Sequence, residues 1–173
     1  MIPRMPRWQS YVATTTDPIF TPQQCQMIVD QGHQQQPEKA LVGGDKGGKH
    51  DTKKRVTTIS WIPFAKMPEM YQQIENQLSI VNLNHFMFDG VRLTEPAQFT
   101  EYPKGGFYDW HMDLSAFGQE GRNPVRKISM TLLLSDPKDF TGGDLLFSEM
   151  GNEKPLPLKQ GQAIFFASFL RHK

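Results

Sequence analysis

The sequence predicts an α+β chain, with a helical N-terminal third supporting a β-rich remainder that closes as an antiparallel sandwich or barrel. Three observations carry that prediction. Apolar residues recur at helical spacing in two stretches before residue 84. From residue 85 onward, short apolar or alternating runs follow one another, cut by Gly, Pro and Asp turns. The length of 173 residues with 38% hydrophobic residues supplies one core and one domain, 1–173, without much surplus.

The first helix is expected over 21–36. Thr21-Pro22-Gln23-Gln24 supplies a capping hydroxyl, a proline at the first helical position and a glutamine placed to reach back. Cys25, Ile28 and Val29 then form one apolar stripe, and Gly32 and Pro37 mark the end. A second helix is expected from Pro68 to Leu83, with Met70, Tyr71, Ile74, Leu78 and Val81 on one face. Between them runs the Gly- and Lys-rich stretch 42–55. Its glycines and charges predict a mobile loop over 43–55 that cannot pack, either a solvated connection or a substrate lid. The apolar Ile59-Ser60-Trp61-Ile62 after it reads as a strand.

The predicted β core, 85–173, contains runs at His85–Phe88, Ala97–Tyr102, Phe107–Asp113, Lys127–Leu134, Leu145–Phe147, Ala163–Phe166 and Leu170–His172. Pro103-Lys104-Gly105-Gly106, Asp136-Pro137, Thr141-Gly142-Gly143 and Gly151-Asn152 are among the turns between them. Strands this short, at this spacing, pair as antiparallel neighbours.

Composition excludes several functions. Nineteen basic against eighteen acidic residues leave a net charge of +1, which removes the whole-chain argument for nucleic-acid or anionic-membrane binding. The basic cluster Lys53-Lys54-Arg55 lacks interleaved aromatics for base stacking. One cysteine, Cys25, makes neither an intramolecular disulfide nor a zinc cluster, so a reducing, cytoplasmic setting is expected. No apolar run is long enough for a signal or a membrane span. Gly43-x4-Gly48-Lys49 lacks the hydroxyl residue of a phosphate loop, because His50 stands there.

The chemistry concentrates in Tyr108-Asp109-Trp110-His111-Met112-Asp113. Residues two apart on a strand share a face, so His111 and Asp113 project together. An imidazole beside a carboxylate is two-thirds of a facial triad for non-haem iron(II). His172, 59 residues after Asp113 in another predicted strand, is the candidate third ligand. Asp109 shares the face of His111 and is a rival carboxylate. His33, His50 and His85 have no partners at ligand spacing and read as surface or satisfied residues.

Residues 55–173 resemble the iron(II)- and 2-oxoglutarate-dependent dioxygenases of the prolyl 4-hydroxylase type. The matching stretches run from Gln98 through Tyr102-Pro103-Lys104-Gly105-Gly106 to Asp113, then over Arg126–Leu134, Gly142–Phe147 and Phe165–His172. The resemblance implies a double-stranded β-helix (jelly-roll) with the N-terminal helices packed outside it, and metal ligands His111, Asp113 and His172, which sets Asp113 ahead of Asp109. It also implies 2-oxoglutarate contact by Tyr102 and substrate contact by Tyr108 and Arg126. A tyrosine that holds the cosubstrate's distal carboxylate in some relatives is Leu133 here; Thr131, on the same strand face, offers a hydroxyl instead. Trp110 and Trp61 are aromatic candidates for packing a substrate, with core packing the expected role of Trp61. The loop at 43–55 falls where relatives carry a substrate-covering loop.

Relatives also place a Lys or Arg beyond the distal histidine to clamp that carboxylate, whereas this sequence stops at Lys173. A further C-terminal segment is therefore expected to complete the barrel. The implied reaction consumes Fe(II), 2-oxoglutarate and O2, with ascorbate as an accessory reductant. It hydroxylates an unactivated C–H bond, foremost a proline in a peptide or protein, and releases succinate and CO2. Other side chains or small molecules are the alternative substrates, and a metal- or protein-binding barrel without turnover is the alternative of a different class. A monomer is expected.

Overall fold

The computed structural model describes residues 10–40, 50–114, 125–148 and 155–173. Two helices, α1 (Pro22–His33) and α2 (Pro68–Val81), and eight short strands make up most of the regular structure. The strands are β1 (Val12–Thr14), β2 (Glu38–Lys39), β3 (Arg55–Val56), β4 (Thr58–Ile62), β5 (Ala97–Glu101), β6 (Phe107–Tyr108), β7 (Ile128–Leu132) and β8 (Ala163–Ala167). Among the described residues they pair, all antiparallel, as β1-β8-β7, β2-β4-β5 and β3-β6. No helix among these residues is long and apolar enough to cross a membrane.

The local signals explain where α1 starts. Thr21 Oγ1 accepts from the Gln24 amide at 3.2 Å, and Gln24 Oε1 accepts from the Thr21 amide at 2.8 Å, which is the reciprocal cap read from sequence. Gly32 does not end the helix; it lies inside it. Its missing side chain admits the Phe99 ring of β5, and its carbonyl accepts from Ser60 Oγ of β4 at 2.9 Å. α2 is tied to the same sheet by Tyr71, whose hydroxyl donates to the Ile62 carbonyl and accepts from the Ala97 amide at 2.7 Å.

The core is built around β8, where Ala163, Ile164, Phe165, Phe166 and Ala167 are all buried. A strand buried on both faces reads as a continuous apolar run, and this one lies between β1 and β7. Phe86, Ile62 and Cys25, each below 2% exposed, belong to the same core.

Several predicted elements need correction. His85–Phe88 is not a strand. α2 continues into a π-helical turn, Asn82–Phe86, closed by Met87 in the left-handed region at φ 57°. The Asn82 side chain then captures both backbone groups of Phe88, at 2.9 and 3.0 Å, and takes them out of reach of a sheet. Regular strand in 107–113 stops at Tyr108, and Leu145–Phe147 and Leu170–His172 contribute only bridges, at Phe147 and His172. The predicted loop 43–55 does pack at its C-terminal end: Arg55 is 8% exposed and sits in β3. Residues 43–49 of that lid prediction lie outside the described residues, as does the Gly151-Asn152 turn.

Gly161 is the turn that closes β8 onto the N-terminal segment. Its carbonyl accepts from the Ile19 amide at 2.8 Å, its amide donates to the Leu133 carbonyl at 2.7 Å, and its φ is +81°. A Cβ there would lie 2.0 Å from the Phe20 carbonyl oxygen. Gly161→Ala is therefore expected to cost about 2 kcal/mol or more, since it combines a left-handed backbone with a clash against main chain. Urea unfolding followed by circular dichroism checks this; an unchanged midpoint would contradict it.

Candidate active site

Two narrow backbone pairings assemble the site. His111 and His172 face each other as a hydrogen-bonded antiparallel pair, each amide donating to the other's carbonyl at 2.9 Å. The amides of Asp113 and Leu114 then both donate to the Ser168 carbonyl, at 3.1 and 2.9 Å. On the far side, Phe147 bridges to His172, and Leu146 and Lys173 exchange bonds at 2.9 and 3.0 Å. Each of the three side chains is thus placed by main-chain bonds close to its own Cα.

Their polar ends converge. His111 Nε2 lies 3.6 Å from Asp113 Oδ1, and His172 Nε2 lies 3.8 Å from Asp113 Oδ2. Both distances exceed a hydrogen bond. The donors face a common point without bonding one another. Ligand atoms of the three residues all fall within 4.8 Å of each other. His111 Nδ1 faces the Asp109 carbonyl at 2.8 Å and His172 Nδ1 faces the Leu170 carbonyl at 3.0 Å. A carbonyl can only accept, so each Nδ1 carries the proton and each Nε2 lone pair points inward. Two neutral imidazoles and a carboxylate fit a divalent iron of the facial-triad kind. Asp109 serves the set through its carbonyl, so the rival carboxylate is not one of the three.

Electrostatics favour the unprotonated state. Burial, reinforced by the neighbouring His172, pushes the His111 imidazole down to about 4, although the Asp109 carbonyl and Asp113 pull it the other way. His172 is packed by the Phe166 ring at 4.6 Å and the Phe147 ring at 6.0 Å, and its side chain is only 7% exposed. His111 is covered by the Tyr108 ring, parallel to it within 13° at 3.5 Å.

The remaining sequence candidates are distributed around this centre. Tyr102 has 54% of its surface open, yet burial of its phenol raises the pKa, with Arg55, Tyr108 and Asp113 as the charged or titrating groups near it. It therefore remains an O–H donor at neutral pH. Thr131 is exposed and pairs with Ile164 in the β7–β8 ladder. Directly opposed residues share a face, and Phe166, two residues on, carries that face to His172. Trp110 points elsewhere: its ring receives Lys173 Nζ at 4.7 Å and the Arg171 guanidinium at 5.7 Å. Arg126 makes a two-pronged ion pair with Glu95, at 2.6 and 2.5 Å. Trp61 is half-buried on β4 opposite Gln98. Among the lone histidines, His33 is satisfied by Glu101 at 2.8 Å.

Arg55 was not legible as a site residue. In sequence it closes a basic run in a glycine-rich loop, and only its pairing with Tyr108 across the β3–β6 ladder brings it here. Its guanidinium lies 4.4 Å above the Tyr108 ring.

With this geometry in hand, comparison with known proteins is specific. Residues 97–173 match the 2OG-Fe(II) oxygenase superfamily, and they include all three converging side chains. A PKHD-type hydroxylase of Synechococcus sp. (strain CC9902) is 40% identical over 68 residues, covering 39% of this chain and 29% of the relative. The PKHD-type hydroxylase PiuC of Pseudomonas aeruginosa is 32% identical over 95 residues, covering 52% and 42%. The chain thus spans less than half the length of these curated relatives. Among solved structures, a viral collagen prolyl hydroxylase from Paramecium bursaria Chlorella virus-1 superposes with a TM-score of 0.68 at 18% identity, covering 94% of this chain and 87% of that one. A Pseudomonas putida prolyl-4-hydroxylase gives 0.66 at 17% identity, covering 94% and 83%. Over residues 97–173 the chain is thus similar to the 2OG-Fe(II) oxygenase superfamily.

The lowered His111 pKa has a consequence for the metal-free protein. Between about 4, the folded value, and the ordinary imidazole value of about 6.5, the unfolded chain binds the extra proton and the folded chain does not. This contribution to stability is complete above the unfolded value and is lost as pH falls through the window. Thermal unfolding of metal-free protein from pH 4 to 7 is expected to show a rising midpoint that is shallower in His111→Gln. Parallel curves for the two proteins would contradict it.

Proposed function

We propose that this chain hydroxylates an unactivated C–H bond with Fe(II), 2-oxoglutarate and O2, most favourably on a proline of a peptide or protein. The observation that carries the proposal is the convergence of His111 Nε2, His172 Nε2 and one Asp113 carboxylate, with both Nδ1 atoms committed to backbone carbonyls. His111, Asp113 and His172 would hold the iron, which when bound would supply the oxidising power that no side chain has.

The chain's own residues would do the binding and shielding. Tyr102, kept protonated, is suited to donate to a cosubstrate carboxylate, and Thr131 adds a hydroxyl on the neighbouring sheet face. Phe166 and Phe147 exclude water behind His172. Tyr108, Trp110 and Arg126 are the proposed substrate contacts. Of these, Arg126 must exchange its Glu95 partner for a substrate group, and Trp110 must accept substrate beside Lys173 and Arg171. The strands are read as a jelly-roll with both helices outside it. The relatives' names support a hydroxylase and the two superposed structures support the fold. Ascorbate as accessory reductant, a cytoplasmic setting and a monomeric state belong to the same proposal.

Anaerobic titration with Fe(II) and 2-oxoglutarate, followed by visible absorption, is expected to give a charge-transfer band that needs both additives. His172→Ala is expected to abolish it, since removing one of three ligands leaves too few. Adding air and a proline-rich peptide should then release succinate in proportion to peptide hydroxylated. No band in wild type would overturn the dioxygenase proposal. A band with no succinate release for any peptide or small substrate would favour a binding barrel.

A further inference from the structure

We propose that Arg55 is a positioning residue of the metal site, acting through the Tyr108 ring to hold the plane of His111. The inference rests on the reading of His111 as a metal ligand. Nothing in the sequence motifs assigns a role to Arg55, and its burial at 8% exposure calls for one.

Burying a guanidinium away from water is costly unless its environment compensates the charge. Arg55 has neutral hydrogen-bond partners: Nε donates to Thr57 Oγ1 and Nη2 to Gln98 Oε1, both at 2.8 Å. Among the described residues no carboxylate pairs with it. What faces the cation is the π surface of Tyr108, 4.4 Å away. The two side-chain bonds fix the fork at two nitrogens, so the guanidinium is held over the ring and cannot swing away.

Tyr108 passes this restraint on. Arg55 and Tyr108 are opposite residues of the β3–β6 pair, and the Asp109 amide extends the contact by donating to the Lys54 carbonyl at 2.8 Å. The Tyr108 ring also stacks on His111, at 3.5 Å and 13°. The imidazole therefore has one edge on the Asp109 carbonyl and one face on Tyr108. His172 gets its rigidity from depth, being packed among Phe147 and Phe166. His111 is more open, 16% against 7% for the side chains, and needs a brace from outside the core. A stack of guanidinium, phenol and imidazole supplies that brace.

The test is Co(II) binding to the purified full chain, read from visible absorption, in wild type, Arg55→Met, Tyr108→Leu and the double variant. Circular dichroism first confirms that each one folds. Loss of an outer partner of a metal ligand typically weakens metal binding about 10- to 100-fold. Arg55→Met is expected to bind about tenfold more weakly, Tyr108→Leu at least as weakly, and the double variant no more weakly than Tyr108→Leu. That non-additivity is the signature of one stack. Wild-type affinity in Arg55→Met, or losses that multiply in the double variant, would overturn the inference. Should Arg55→Met not fold, Arg55→Lys decides: it keeps the charge without the planar fork. A severalfold loss supports the stack and an unchanged affinity overturns it. Failure of wild type to bind Co(II) in a manner abolished by His172→Ala would instead overturn the metal site itself, and the inference with it.

Discussion

The reciprocal pair of backbone hydrogen bonds between His111 and His172 is the constraint on which the site depends. It joins two segments far apart in the chain and fixes their register. Once that register is set, the rest follows from short-range geometry. Each imidazole turns Nδ1 to a carbonyl two residues earlier in its own segment, and Asp113 is held by the Ser168 carbonyl. A slip of one residue would carry each side chain to the opposite face, and the three donors would no longer meet.

The fold supports this pair from behind. β8 is buried on both faces, so it can act as a rigid wall for Phe166 and, through it, for His172. The helices hold the neighbouring sheet by specific polar ties, Ser60 to the Gly32 carbonyl and Tyr71 to both Ile62 and Ala97. Those ties matter because β5, paired to β4, runs directly into Tyr102 and the segment that leads to His111. Apolar burial there provides stability, while the hydrogen bonds fix where the parts sit.

The two histidines sit in different surroundings. His172 is deep and packed by hydrocarbon. His111 is shallower, desolvated by a stacked phenol and kept neutral with its pKa pushed down to about 4. A site with one deep and one shallow imidazole has a closed side and an open side, and Tyr102, Tyr108 and Arg126 with its partner Glu95 are outside the deep core.

The sequence by itself determined much of this protein. Periodicity and capping residues located α1 and α2, because helix signals are local: a cap and a stripe lie within a few turns of chain. The apolar run Ala163–Phe166 marked the central strand, and the His-x-Asp motif with the later His172 marked the three residues whose polar ends converge. Tertiary structure alone decided what depends on distant partners. Asn82 closes on Phe88 and removes an apolar run from the sheet, although that run is apolar enough for a strand. Gly32 lies inside its helix, and Phe99 fills the space a side chain there would need. Arg55, in a stretch whose composition reads as solvated loop, is buried because β3 finds β6. In each case the deciding energy comes from a contact between segments that local propensity does not encode, and tertiary packing overrides it.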